Sequence, residues 1–171
     1  MFSHSITPWL HILAVTVWVG PQFFLFVAAV PAVRTIEDRA LRARVMRVIV
    51  TRFGWMACGA MLVIVLTGIS NLFQEGAEAS IDLGSTDFRY FHLFSLKMIL
   101  VGLTVLLTGV HTFVVGPRQL RLAEQMDADP SQVEGLRRVS IAISGLALLA
   151  SIAVIFVAAL LANHEYSFQP T

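Results

Sequence analysis

The sequence predicts an all-α integral membrane protein: a four-helix bundle that forms a single membrane domain over residues 1–171. Hydrophobic residues make up 57% of the chain and charged residues only 13%, whereas a soluble domain carries about 25% charged residues. The apolar residues gather into four runs, each with the roughly 20 residues that cross a hydrocarbon core. Helices are expected in all four, because a backbone in lipid must satisfy its hydrogen bonds within its own segment.

The four predicted spans cover, in order, about residues 8–33, 45–73, 88–115 and 139–163. Pro8 suits the first turn of the first helix, with Thr7 as its cap. The third span is expected to stop at Gly116-Pro117, because proline cannot donate the next helical hydrogen bond. Residues 118–137 then predict an amphipathic helix that breaks near Asp129-Pro130.

Charges between the spans predict the orientation. The arginines of the two basic connections are Arg34, Arg39, Arg42, Arg44, Arg118, Arg121, Arg137 and Arg138, and the acids of the remaining connection are Glu75, Glu78, Asp82 and Asp87. Under the positive-inside rule the basic connections are cytoplasmic. Both termini and the acidic connection are then outside (N-out/C-out), and we expect a multi-pass protein of the bacterial inner membrane.

Several classes of chemistry are not predicted. The single cysteine, Cys58, rules out a disulfide within the chain, and no CxxCH motif is present for a c-type haem. The sequence has no Ser-His-Asp set, no paired carboxylates and no HExxH motif, so hydrolysis has no support. It has no nucleotide motif either, and no nucleic-acid partner is expected.

Ionisable residues within spans are costly in lipid, and each is therefore a candidate for function. His11 lies one turn into the first span, and Trp18, seven residues on, falls within about 20° of it around the helix. Ala14 lies between them on the same stripe and leaves room for a flat group. His92 begins the third span at a similar depth, so His11 and His92 are candidate ligands of one metal or haem iron. The alternatives are ordinary helix packing for His11 and an interfacial position for His92.

Lys97 is the only lysine and lies about 13 Å into the third span. A buried lysine loses its proton or finds a partner, so it is a candidate iron ligand or a partner for a carboxylate. His111 lies about 21 Å deeper than Lys97, in the inner leaflet, too far from His11 to share a metal. It is expected to bind a ligand or to hydrogen-bond a carbonyl across the bundle. Interhelical hydrogen bonds are expected from the amides of Gln22, Asn71 and Asn163.

The polar pattern resembles a known family. The first span opens His11-Ile-Leu-Ala-Val-Thr-Val-Trp18-Val-Gly20, the second contains Leu66-Thr67-Gly68-Ile-Ser-Asn71, and the third runs from Leu96-Lys97-Met98 to His111 and Gly116-Pro117-Arg118. These segments resemble the CopD-like membrane proteins and the related HemJ-type protoporphyrinogen oxidases, over roughly Trp9 to Arg118. The fourth span is generic.

The resemblance has two implications. HemJ-like proteins bind haem b through a histidine of the first span and a lysine of the third, which fall on His11 and Lys97. CopD-like proteins are assigned to copper passage or copper resistance. HemJ proteins also place a second histidine soon after the first span, where this chain has Arg34. HemJ-like oxidoreductase activity therefore stays open.

The first hypothesis is a b-type haem protein with haem b in the outer half of the bundle. His11 is one axial ligand, His92, Lys97 or His164 the second, Trp18 lines the slot, and Arg89 or Lys97 pairs with propionates. Its role would be one-electron transfer with a quinol or redox partner protein, as a homo-oligomer or as a subunit of a larger complex.

The alternative is a copper transport or resistance protein. Copper passage favours soft ligands, and the six methionines scatter along the chain: Met1, Met46, Met56, Met61, Met98 and Met126. A third possibility is a structural subunit in which the histidines only pack.

Overall fold

The computed structural model describes residues 2–79, 89–125 and 129–167, which contain helices and no strand. The helices are α1 (Phe2–Phe24), α2 (Val30–Arg34), α3 (Arg39–Ala79), α4 (Arg89–Val110), α5 (Gly116–Glu124), α6 (Pro130–Ala162) and α7 (His164–Ser167), with π-helical turns at Leu25–Ala29 and His111–Val115. Four stretches are long and apolar enough to cross a membrane: Ile6–Arg34, Arg39–Phe73, Arg89–Leu122 and Pro130–Ala162. The prediction of an all-α, four-span membrane protein is confirmed.

The spans expose most of their apolar surface. Only 11–22% of each span's most apolar window is buried within the protein, and Trp55, Phe73 and Phe113 are each more than 70% exposed. The residues that are buried between helices are mostly small, such as Ala57 and Ala147. This arrangement is typical of a membrane bundle, in which lipid covers the outside and small residues let the helices approach closely.

The bundle consists of two helical hairpins. In the first hairpin α1 packs along α3, and in the second α4 packs along α6. Fewer contacts join the hairpins, and they run from α1 to α6 and from α3 to α5. The core of the first hairpin is Trp18 against Ala57 and Ala60, with Phe53 and Met61 packed around them. The two alanines make room for the indole ring between two helices.

Each π turn precedes a proline. The Val30 N–H donates to the Leu25 carbonyl just before Pro31, and the Gly116 N–H donates to the His111 carbonyl just before Pro117. Proline lacks an N–H and its ring presses on the carbonyl of the preceding turn, and a π turn widens the helix at that point. The helix therefore continues past the proline.

Two predicted helix ends were wrong. The third span does not stop at Gly116-Pro117 but continues as α5 to Glu124, because the π turn accommodates Pro117. The first helix begins at Phe2, so Thr7 is not its cap and Pro8 lies inside the helix.

Aspartates cap two of the helices at their N-termini. Asp38 Oδ1 accepts from the Ala40 and Leu41 N–H groups at 2.8 and 3.2 Å. Asp129 Oδ1 accepts from the Ser131 N–H at 2.9 Å and from its hydroxyl at 2.8 Å. These hydrogen bonds from Ser131 lower the pKa of the Asp129 carboxyl. The predicted break near Asp129-Pro130 is confirmed, since α6 begins at Pro130.

Part of the predicted acidic connection, and one candidate ligand, fall outside what the structure describes. Asp82 and Asp87 lie outside the described residues, and so do the side chains of Glu75, Glu78 and His164. The predicted orientation rests on the distribution of charge alone and stays a prediction.

Candidate functional site

His11 is held by the second span. Its Nδ1 lies 2.8 Å from Thr67 Oγ1, and the Thr67 hydroxyl donates to the Val63 carbonyl at 2.6 Å. Because the hydroxyl has a single proton, Thr67 accepts from His11, which puts the ring proton on Nδ1 and the lone pair on Nε2. In metal sites a histidine commonly donates one ring N–H to a neighbouring oxygen and binds the metal through its other nitrogen.

The surroundings of His11 agree with the predicted stripe. Ala14 and Trp18 are 6% and 5% exposed, so the His11–Trp18 stripe faces the protein interior. The imidazole ring lies against Gly68, where an added Cβ would be 3.4 Å from His11 Cε1. A glycine at this position thus gives the ring space beside α3.

His111 is held in the second hairpin by an analogous hydroxyl. His111 Nε2 lies 3.0 Å from Ser140 Oγ, which joins the π turn of the third span to a buried residue about a third of the way along α6. The Ser144 hydroxyl donates to the Ser140 carbonyl at 2.7 Å and supports this turn of α6. The expected bond across the bundle exists, with a hydroxyl rather than a carbonyl as the partner.

The packing does not favour a shared ligand for His11 and His92. His92 is exposed and its ring stands edge-on to Phe91, with centroids 6.0 Å apart. Its helix, α4, packs along α6 rather than along α1. A metal or haem iron held by both histidines stays a prediction.

The other predicted site residues lie at separate places. Lys97 is half-buried in α4. The Arg89 guanidinium lies 5.1 Å from the centroid of the Tyr166 ring, a cation–π contact that joins the start of α4 to α7. Arg89 thus has an aromatic partner at the end of the fourth span.

Soft ligands do not converge in the described parts of the chain. Over residues 2–79, 89–125 and 129–167 no group of three or more His, Cys, Asp or Glu residues could hold a metal ion. Met56 and Cys58 are exposed, whereas Met61 packs against the core around Trp18. His11 and His111 are therefore separate nitrogen ligands and not parts of one clustered site.

Three buried polar atoms differ from the expectation: two belong to amides predicted to bond across the bundle, and the third belongs to Thr108, which the sequence analysis did not single out. Gln22 Nε2, Asn71 Oδ1 and Thr108 Oγ1 have no hydrogen-bond partner among the described residues. The interhelical bonds expected from Gln22 and Asn71 are therefore wrong for these atoms, because an amide reaches a partner only where the facing helix offers one at its depth. Asn163 Oδ1 accepts from the Tyr166 N–H at 3.3 Å, a local bond at α7. The sequence signal for Thr108 is its position, since its hydroxyl lies about one helical turn before His111.

Residues 47–161 match the sequence profile of the family described as Copper resistance protein D. The chain belongs to this CopD family. The predicted CopD likeness is confirmed, with different bounds: the match includes the fourth span, expected to be generic, and begins after His11 and Trp18. Lys97 and His111 lie within it. A search of curated proteins and of solved structures gives no match. The family match supports copper and lends no support to haem b.

Proposed function

We propose that this CopD-family protein moves copper ions through the membrane as a copper transport or resistance protein. Family membership over residues 47–161 carries the proposal. The four spans supply the membrane-crossing body that such a role requires. Copper is here the cargo, not a resident cofactor.

Two histidines provide the ligands for the passing ion. Imidazole nitrogen suits copper in either common oxidation state. His11 and His111 are each fixed by a hydroxyl of the neighbouring span, Thr67 and Ser140. A site with one strong ligand binds an ion well enough to admit it and weakly enough to release it, which conduction requires.

The two histidines serve opposite ends of the passage. His11 lies five residues after the start of the first span and His111 lies 22 after the start of the third. Both spans run in the same direction, so these positions differ in depth by roughly 25 Å at 1.5 Å per residue. With the arginine-rich connections on the cytoplasmic side of a bacterial inner membrane, His11 serves the outer half and His111 the inner half.

The deciding experiment measures copper influx into proteoliposomes. Purified protein is reconstituted into vesicles that hold a fluorescent copper(I) chelator, and reduced copper is added outside. We expect influx above that of protein-free vesicles, reduced in His11→Ala and in His111→Ala. Cys58→Ser, a change at an exposed position of the second span, is the control and should match the unaltered protein. Vesicles no more permeable than protein-free ones would overturn the proposal.

The same preparation tests the haem hypothesis. A reduced sample with sharp Soret and α bands that vanish in His11→Ala would replace copper passage with haem b. The quinol or redox partner, and the homo-oligomer, belong to that hypothesis. A colourless preparation that takes up copper would leave the copper proposal standing.

A further inference from the structure

The two hairpins share one construction at a constant separation along the chain. The π turns begin at Leu25 and His111, and the prolines that follow them are Pro31 and Pro117, so both features recur after 86 residues. In each hairpin the helix that contains the π turn packs along the next long helix, α1 along α3 and α4 along α6. The second hairpin therefore repeats the first in the same direction.

The same separation pairs buried residues. Trp18 corresponds to Thr104, and both are buried. Gln22, one turn further on, corresponds to Thr108, and each has a side-chain polar atom that is buried without a hydrogen-bond partner in the described part of the chain. Two unsatisfied polar groups at equivalent positions indicate a shared role rather than two separate defects.

Gln22 and Thr108 also lie at the same level of the bundle. Gln22 is 16 residues past the start of a 29-residue span, and Thr108 is 19 past the start of a 34-residue span, so both lie just beyond the middle. In transporters built from repeats, the substrate site lies near the bilayer midplane between the repeats.

We propose that Gln22 and Thr108 line a hydrated site at the middle of the bundle, which the copper ion occupies with its water on the way between the two histidines. Buried water is found where otherwise unsatisfied polar groups need hydrogen-bond partners. The claim that copper occupies this site rests on the proposed function. The claim that water occupies it does not.

The third unpartnered atom extends this path outward. Asn71 lies one turn beyond Thr67, the partner of His11, and Thr108 lies three residues before His111. Buried polar atoms that lack a hydrogen-bond partner among the described residues thus occur near His11, at Asn71, and one turn before His111, at Thr108 and at the same level on Gln22. Water bound to these groups would lie next to both histidines.

The chemistry of the middle site differs from that of the ends. Amide and hydroxyl groups are hard donors that bind copper weakly compared with imidazole. They would hold a copper ion through its water rather than strip that water. Selection of copper then occurs at His11 and His111, and the middle site supports transit.

Thiol accessibility tests the hydrated site directly. Cys58→Ser removes the only cysteine, and Gln22→Cys and Thr108→Cys are added to it one at a time. The cysteine thiolate, which forms in contact with water, attacks a charged methanethiosulfonate reagent; a mixed disulfide forms and methanesulfinate leaves. The matched controls are Phe24→Cys and Leu106→Cys, which face outward at 61% and 63% exposure on the same two spans.

We expect both interior cysteines to react at least about tenfold faster than the lipid-facing ones, because a thiol in hydrocarbon stays protonated. Thr108→Cys preserves the size of the side chain, so it remains informative if Gln22→Cys fails to elute as a single species. Interior cysteines as unreactive as the controls would overturn the site.

Copper influx separates this inference from the proposed function. Gln22→Leu and Thr108→Val remove the polar atoms while keeping the size, and each should slow influx relative to Phe24→Leu. Reactive interior cysteines in a protein that passes no copper would overturn the copper proposal and support the hydrated site. Influx that persists unchanged in Gln22→Leu and Thr108→Val would overturn the site's place on the copper path.

Discussion

The two hairpins carry their histidines in opposite halves. In the first hairpin His11 lies early in the first span and bonds Thr67, whereas in the second His111 begins the π turn, past the middle of the third span, and bonds Ser140. At the 86-residue separation, His11 corresponds to Lys97 and His111 to Leu25. The two hairpins therefore share the spacing of π turn and proline but place their histidine–hydroxyl pairs at different positions along it. The separation is too large for the two pairs to hold one cofactor, and it suits an ion that visits them in turn.

The largest expected effect concerns stability and distinguishes the two cores. Trp18→Ala should destabilise the first hairpin by about 3–5 kcal/mol, because it leaves a cavity between Trp18's partners Ala57 and Ala60. The equivalent change in the second hairpin, Thr104→Ala, removes only a hydroxyl that bonds the Leu100 carbonyl of its own helix, and should cost about 1 kcal/mol. Thermal unfolding in detergent measures both. Equal losses of stability in the two variants would contradict the difference between the two cores.

The next prediction asks whether the histidine pairs act in series. His11→Ala and His111→Ala should each lower copper influx by about tenfold or more, since removing a ligand raises the barrier at that step by at least about 1.4 kcal/mol. Copper influx in the double variant should be close to that of the slower single variant. If the loss of either histidine left copper influx unchanged, the two histidines would not act in series.

A smaller effect separates the two π turns. An added Cβ at Gly116 would lie 3.0 Å from the His111 carbonyl oxygen, so Gly116→Ala should destabilise the second hairpin by about 1–2 kcal/mol. The first hairpin has Val30 at this position and tolerates its side chain. Gly109→Ala is the matched control, because a Cβ there meets nothing within 4 Å, and it should be neutral or stabilising by up to about 1 kcal/mol. A Gly116→Ala protein as stable as the wild type would show that the His111 carbonyl can move away from the added Cβ at little cost.

The smallest effect depends on pH and concerns the connection before α6. The Asp129 carboxyl has a pKa below its ordinary value of 3.8 in the folded protein, so its cap stabilises α6 above that ordinary value and is lost as the pH falls through the lowered pKa. Wild-type protein should melt slightly above Asp129→Ala at about pH 6, and the gap should close as the pH falls below 3.8 and through the lowered pKa. Circular dichroism follows the melt. A gap that does not depend on pH would mean that the charge of Asp129 plays no part.

The spans were predictable because crossing a membrane sets both the length and the composition of a segment. The inward stripe was predictable too, since a seven-residue spacing puts His11 and Trp18 on one face of any α-helix. The end of the third helix was not predictable from sequence. A π turn that accommodates Pro117 has no sequence pattern that distinguishes it from the end of a helix.

The partners within the site depend on which helices lie side by side. Similar depth suggested His11 with His92, but α1 packs along α3, and this brings His11 to Thr67. Hydropathy ranks each span separately and says nothing about its neighbours. For the same reason the sequence could not show that Gln22 Nε2 and Asn71 Oδ1 lack a hydrogen-bond partner among the described residues.

The π turns also bear on how this chain tolerates insertion and deletion. A π turn holds one residue more than an α-helical turn, so deleting one residue within Leu25–Ala29 would restore a regular α-helix there. Because the deletion removes the extra residue that the π turn absorbs, the residues beyond it would keep their present orientation around the helix axis. Val33, which is buried, would stay against its present neighbours, and Arg34 would keep its direction. The same deletion in a regular α-helical turn would rotate everything beyond it by about 100°, so the two π turns are the places where these spans best tolerate the loss of a residue.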